Sequence, residues 1–214
     1  WKSYFDLERN YAQIRRGIAS GDTYLTEAAE CGKGIRILRQ DPWEMLVTFI
    51  ISQRKNIPAI RSAVEVLCER YGEKIPASHE SLYAFPSPQA LAAVSESQLR
   101  DCGLGYRAPY VADAARQASG GELDLQLLWN LPDQELLESL EAVKGVGIKV
   151  ASCIGLFAYG RTQIAPVDTW IRRVIQERYQ SLDPFPRYGS AAGILQQYMF
   201  YHALYHKKDF IPHS

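Results

Sequence analysis

Apolar positions along this chain recur every three or four residues, the period of a helix with one buried face. "PWEMLVTFIIS" (42–52) opens with a proline, tolerated in a helix's first turn, and then runs apolar enough to be core. "IPAIRSAVEVLCERYG" (57–72) sets Ile60, Ala63, Val64, Leu67 and Tyr71 on one face and stops at Gly72. "SPQALAAVSESQLRDCGLG" reads as two short helices, with Ser87 and Ser95 as N-caps and Gly103 as a stop. "YRAPYVADAARQAS" resumes a helix before the glycine pair at 120–121. Further helices are expected over 133–143, over 147–158, after Asp168, and over "SAAGILQQYMFYHALY". No stretch alternates convincingly at the period of a strand, and no repeat interrupts the pattern. The fold class this predicts is all-α.

Composition narrows the class without changing it. The 214 residues suffice for one compact unit or two small lobes, and 47% apolar with 22% charged residues is ordinary for a soluble globular protein. The longest apolar run, "LVTFII", is far too short to span a bilayer, and "WKSYFDLERNY" has no apolar signal region. The expectation is a soluble, cytoplasmic protein with no membrane partner. Cys31, Cys68, Cys102 and Cys153 lie far apart without a CxxC pair, which argues against a zinc site or an iron–sulfur cluster.

Charge is balanced overall but not locally. Lys+Arg and Asp+Glu both number 24. Residues 122–141 carry Glu122, Asp124, Asp133, Glu135, Glu138 and Glu141 with no basic residue. Residues 143–173 carry Lys144, Lys149, Arg161, Arg172 and Arg173 against Asp168 alone. A zero sum therefore hides a dipolar distribution that can meet a polyanion.

Within the positive half, "VKGVGIKVA" (143–151) joins two helices through a tight turn. Gly145 and Gly147 are read as permitting the left-handed angles of a short turn and as leaving the amides of the second helix open. Those amides and the helix dipole suit a phosphate. Taken alone, such a turn is more often a hairpin whose glycines only cap and pack. Two further residues shift that balance. Lys149 stands in the first turn of its helix, where a positive charge opposes the dipole, so a purely structural lysine is poorly placed. An amine crowded by cations and partly desolvated gives up its proton more readily, as a nucleophile must. Asp168, in "APVDTW", is an N-cap by position and the only acid of the segment. Amine plus carboxylate suits attack at a carbon that develops positive charge.

"LEAVKGVGIKVASCIGLFAYGRTQIAPVDTW" resembles the helix–hairpin–helix and Gly/Pro/Asp loop of the DNA glycosylase superfamily, and specifically the 8-oxoguanine DNA glycosylase/AP lyases. "YFDLERNY", "GIRILRQDPWEMLVTFIIS", "GLGYRAPYV", "GVGIKVASCI", "PVDTW" and "LQQYMFYHALY" fall in the family's order along almost the whole chain. The resemblance implies a two-lobed helix–hairpin–helix glycosylase fold. One lobe would comprise residues 41–148 and end in the hairpin; the second would comprise 1–40 and 149–214.

It further implies that Lys149 attacks C1′ of a flipped nucleotide, assisted by Asp168, and that the resulting Schiff base permits β-elimination. Cys153 and Phe200 would sandwich the damaged base and Gln196 would read its edge. By residue type alone, Gln196 and Phe200 are only i, i+4 neighbours on a helix, and such a Phe is more often core. Tyr106 and Arg107 would wedge into the vacated stack. Lys144, Gly145, Val146, Gly147, Arg54 and Asn56 would contact DNA. The carbonyls of Glu141, Val143 and Val146 would hold a cation bridging to phosphate, with no cofactor required for chemistry. The implied partner is double-stranded DNA containing 8-oxoguanine, met by a monomer, nucleoid-associated if the source is prokaryotic.

The chain departs from the family's pattern at several points. Arg54 and Lys55 stand where asparagines are usual, with Asn56 retained. Ala59 replaces an arginine of animal relatives, Trp170 replaces a phosphate-contacting histidine, and Lys144 replaces the hairpin's usual proline. No β region corresponding to the long members' N-terminal domain is recognised in these residues; either the sequence is a piece of a longer protein or lesion discrimination is done otherwise, and the choice of lesion is the least determined part. A glycosylase for another damaged base on this fold, or a non-catalytic hairpin module that only binds DNA, remain the alternatives.

Overall fold

The computed structural model describes residues 1–76 and 81–206. Its helices are α1 (Tyr11–Arg16), α2 (Thr23–Cys31), α3 (Pro42–Ser52), α4 (Ile57–Tyr71), α5 (Pro88–Ala92), α6 (Glu96–Leu99), α7 (Ala108–Gly120), α8 (Asp133–Glu141), α9 (Ile148–Phe157), α10 (Thr169–Arg178) and α11 (Ala192–Tyr205). The fold is all-α, as the apolar period predicts. One detail differs: β1 (Lys74–Ile75) and β2 (Leu82–Tyr83) pair antiparallel, Lys74 opposite Tyr83 and Ile75 opposite Leu82. Two residues per strand are too few to alternate visibly. Among the described residues no helix is long and apolar enough to cross a membrane.

Short polar side chains start most of these helices by accepting an otherwise unpaired N–H of the first turn. Asn10, Asp22, Asp41, Asn56, Ser87, Ser95 and Asp168 all do so. Ser95 and Gln98 complete a reciprocal capping box.

The chain divides into two compact units, Trp1–Gln40 with Gly155–Ser214, and Asp41–Ile154. The second division thus lies at 154/155 rather than at 148/149. Helix α9 continues unbroken past Lys149 with Val150, Ala151 and Ile154 buried, so its first part groups with the hairpin.

In the unit Trp1–Gln40 with Gly155–Ser214, α2 and α10 both pack on α11. The core holds Leu25, Ala28, Ile171, Val174, Leu195, Tyr198 and Met199. Burying a side chain such as Leu25 contributes about 1.5–3 kcal/mol. Two buried acids tie distant segments together. Asp22 caps α2 and also accepts from the Tyr179 and Tyr188 hydroxyls at 2.7 and 3.1 Å. Asp6 accepts from Arg9 Nε at 2.6 Å and from the Tyr11 hydroxyl at 2.9 Å, and the Tyr11 oxygen in turn accepts the Ile37 N–H at 2.9 Å. Burial alone would raise the Asp6 carboxyl. The hydrogen bonds from Arg9 and Tyr11, with the charges of Arg9 and Arg39, outweigh it and hold the group below its ordinary 3.8. Burial, reinforced by the neighbouring Asp6 carboxylate, pushes the Tyr11 phenol up to about 12.

In the unit Asp41–Ile154, α3 is the central apolar rod, with Leu46, Val47, Ile50 and Ile51 fully buried. Helix α5 packs on α7, and the Trp43 indole donates to the Pro86 carbonyl at 2.9 Å. Leu99, Leu104, Leu136 and Leu140 complete the interior from the remaining elements.

Candidate active site

The hairpin between α8 and α9 is closed by its own backbone. Val143 N–H donates to the Leu140 carbonyl at 3.1 Å, and Val146 N–H to the Val143 carbonyl at 3.0 Å. The Ala151 N–H to Gly147 carbonyl bond, 2.9 Å, then starts the next helix. The two glycines have different reasons to be there. Gly145 has φ +85°, and a Cβ on it would lie 2.5 Å from the Tyr110 ring, so both backbone and packing demand glycine. Gly147 is not left-handed, which corrects the expectation for that position, and a Cβ there would meet nothing within 4 Å. Among the described residues nothing requires glycine at 147. What the missing side chain leaves is clear space before the first turn of α9, whose N–H groups have no partner inside the helix.

Lys149 is the second residue of α9 and half-buried, its Nζ 5.7 Å from the Phe49 ring centroid on α3. That distance lies within the range of a cation–π contact. Cys153 follows one turn later and is buried. Lys144 is exposed on the turn, while the Val143 and Val146 side chains point into the core. Glu141, Val143 and Val146 supply carbonyls at a helix end and turn, where intrahelical donors run out. The Val143 oxygen already accepts one N–H, which leaves it one lone pair. Such oxygens suit a hard cation. Among the described residues no three His, Cys, Asp or Glu side chains gather into a metal site, so an ion here would rest on backbone oxygens.

The same unit carries the expected wedge. Tyr106 is 47% exposed, whereas Arg107 is only 6% exposed. The Arg107 guanidinium lies over the Tyr106 ring at 4.3 Å and donates to the Leu104 carbonyl at 3.3 Å and to the Gln53 carbonyl. Arg54 is exposed at φ +51°, and Asn56 is spent as the cap of α4, accepting the Ala59 N–H at 2.9 Å. The ring beside Arg107 and the carbonyls around it make burial of its charge tolerable.

The unit Trp1–Gln40 with Gly155–Ser214 carries the remaining expected residues. Asp168, half-buried, accepts the Ile171 N–H at 2.8 Å and so caps α10. Trp170 and Phe200 pack on the core from its edge. Gln196 is 2% exposed, its Oε1 accepting from Gln197 Nε2 at 2.6 Å. Gln196 and Phe200 stand one turn apart on α11. The loop leading to Asp168 is fastened to that helix at Gly193, whose N–H donates to the Thr162 carbonyl at 2.7 Å. Any Cβ on Gly193 would strike the Ile164 carbonyl oxygen and, at 2.8 Å, the Leu156 side chain. Sequence reasoning did not single out Gln53, Phe49, Tyr110 or Gly193; a polar residue ending an apolar helix, as Gln53 does, was the one signal available.

Comparison with known proteins accounts for this arrangement. Residues 47–196 match the family model described as HhH-GPD superfamily base excision DNA repair protein. Residues 1–46 match that of the 8-oxoguanine DNA glycosylase N-terminal domain, so the first helices align with a domain that residue patterns alone did not reveal. A probable N-glycosylase/DNA lyase of Methanothermobacter thermautotrophicus is 29% identical over 93% of this chain and 71% of its own length. The N-glycosylase/DNA lyase of Saccharomyces cerevisiae is 32% identical over 69% of this chain, which spans 43% of that protein. Among solved structures, the Clostridium acetobutylicum 8-oxoguanine glycosylase/lyase in complex with double-stranded DNA superposes with a TM-score of 0.89 at 36% identity, covering 99% of this chain and 74% of the other. This chain belongs to the HhH-GPD superfamily of base excision DNA repair proteins.

Proposed function

We propose that this protein is a bifunctional DNA glycosylase and AP lyase that excises 8-oxoguanine from double-stranded DNA. The observation that carries the proposal is Lys149 in the first turn after an open hairpin, in a chain that also holds an ordered carboxylate at Asp168. A module that only gripped the DNA backbone would need neither. Relatives named N-glycosylase/DNA lyase, and the double-stranded DNA complex of the Clostridium protein, support the same reading.

In this mechanism the Gly147 amide and the open first-turn amides of α9 bind a phosphate, and the Glu141, Val143 and Val146 carbonyls would hold a cation that adds positive charge there. Tyr106 fills the stack while the lesion nucleotide leaves it. Cys153 and Phe200 sandwich the base and Gln196 reads its Watson–Crick edge. The neutral Lys149 amine forms a bond to C1′ as the glycosidic C–N bond breaks, and the base departs with the electron pair. The Asp168 carboxylate opposes the oxocarbenium charge and receives a proton from the attacking amine. Such a preorganised charge contributes several kcal/mol in a water-poor site, on the order of 3–4 from removal of single groups. The amine then carries the opened sugar as a Schiff base. Loss of a C2′ proton expels the 3′ phosphate and nicks the strand. The protein acts as a monomer.

Single-turnover incubation with a duplex holding one 8-oxoguanine tests this. Release of the free base and a nick 3′ to the lesion are expected. A strand that stays intact after treatment with alkali contradicts the assignment.

A further inference from the structure

We infer that Gln53 is a positioning residue that locks the Tyr106 loop to the hairpin, so that wedge and phosphate site engage a duplex in one fixed spacing. The inference rests on the function proposed above. Gln53 follows the last residue of α3 and uses both ends of its structure. Its side-chain Nε2 donates to the Ile50 carbonyl at 3.1 Å, one of the helix-end carbonyls without a helical donor, and to the Gly145 carbonyl at 2.9 Å. Its own carbonyl accepts from the buried Arg107 guanidinium. Two residues on, Lys55 Nζ donates to the Gly103 carbonyl at 2.7 Å, a second tie between the α3–α4 turn and the loop that carries Tyr106.

Each link is specific. Two N–H groups on one planar nitrogen satisfy two carbonyls at once, which a carboxylate or an apolar side chain of the same length cannot do. The residue held on the hairpin side is Gly145, at φ +85°, so the bond fixes the peptide that joins it to Val146, beside the N–H groups that face the phosphate. On the loop side, Arg107 stacks on Tyr106 and orients it. Between the two ties Arg54 stands exposed at φ +51°, a left-handed conformation that non-glycine residues rarely adopt and that persists where its surroundings impose it.

A single strand meets the hairpin and the Lys149 and Asp168 chemistry without needing the wedge. A duplex must meet hairpin and wedge together. Loss of Gln53 therefore harms duplex substrates selectively.

The test compares Gln53→Glu and Gln53→Leu with wild type well below the melting temperature. Three readouts are needed: single-turnover excision from an 8-oxoguanine duplex, borohydride trapping on a single-stranded abasic oligonucleotide, and the ratio of duplex to single-strand affinity. Duplex excision is expected to fall about tenfold or more, as misplacement of a positioning element does, while single-strand trapping changes about twofold or less. The affinity ratio falls with excision. Equal losses on both substrates, or no loss on either, overturn the inference. Should a Gln53 variant fold poorly, Arg107→Lys breaks the same lock from the other side and is expected to give the same selective loss; a uniform loss or none overturns it. A wild type that binds duplex but traps nothing refutes the proposed activity instead, and the affinity ratio, which needs no chemistry, still judges Gln53.

Discussion

The Asp168 carboxylate accepts the Ile171 N–H at 2.8 Å, so the acid proposed for the chemistry is also the N-cap of α10. The two roles separate on substitution. Asparagine caps a helix about as well as aspartate, so Asp168→Asn should change stability by about 1 kcal/mol or less. It removes the charge that faces the developing cation, and single-turnover excision should fall by about a hundredfold or more. An unchanged excision rate with an unchanged melting temperature would refute the catalytic role.

Gly145 and Gly147 make a matched pair. Gly145→Ala forces a side chain into the Tyr110 ring at a left-handed residue and should destabilise the fold by at least about 2 kcal/mol. Gly147→Ala meets nothing in the fold and should leave the denaturation midpoint nearly unchanged, yet weaken DNA binding by crowding the phosphate. Equal effects of the two on stability, or full DNA affinity in Gly147→Ala, would count against the phosphate site.

Stability should depend on pH at both extremes through the Asp6–Tyr11 pair. The Asp6 carboxyl is held below its ordinary value, so in acid the unfolded chain binds the proton more readily; its contribution is full above about pH 4 and is lost as pH falls through the lowered folded value. The Tyr11 phenol is raised to about 12, so its contribution is full below 10 and is lost as pH climbs from there. Urea midpoints near pH 3, 7 and 11 for wild type and Asp6→Asn check this. The substitution should flatten the acid limb, and an acid limb as steep as wild type would place the titrating group elsewhere.

Opposite-base discrimination should be weak. Arg107 is buried and donates to the Gln53 and Leu104 carbonyls, and Ala59 offers no side-chain donor. The exposed Arg54 is long and can donate to several acceptor edges. Excision of 8-oxoguanine opposite A, G or T should lie within about tenfold of that opposite C, since a lost polar pair relaxes discrimination by roughly 1–3 kcal/mol. A preference for C of a hundredfold or more contradicts this.

Affinity for DNA should fall steeply with salt although net charge is zero, because the exposed Lys144 and Arg172 lie in one positive segment. Each neutralised phosphate contributes a slope of about −0.9 in log K against log salt. A nearly flat titration would remove this segment from the footprint.

The helices were legible where apolar period and cap coincide, as at Asp41–Pro42, Ser87, Ser95 and Asp168. The six-residue α1 and nine-residue α2 were not, although Asn10 and Asp22 cap them, because each offers too few turns for a period to show. Lys149 stood out as a charge that its place in the helix does not favour, and Asp168 as the only acid of a positive segment, although an N-cap by position. Gln53 did not, since its role comes from the Gly145 carbonyl and the Arg107 guanidinium, both far away in sequence. The different backbone angles of Gly145 and Gly147 were equally invisible, because glycine permits both.

The central claim is that Lys149 is the nucleophile, and borohydride trapping on abasic duplex DNA tests it most directly. Wild type should give a covalent protein–DNA adduct only when borohydride is present, and Lys149→Gln should give none while still shifting the duplex in a binding gel. An adduct formed by Lys149→Gln at the wild-type level would assign the chemistry to a different amine.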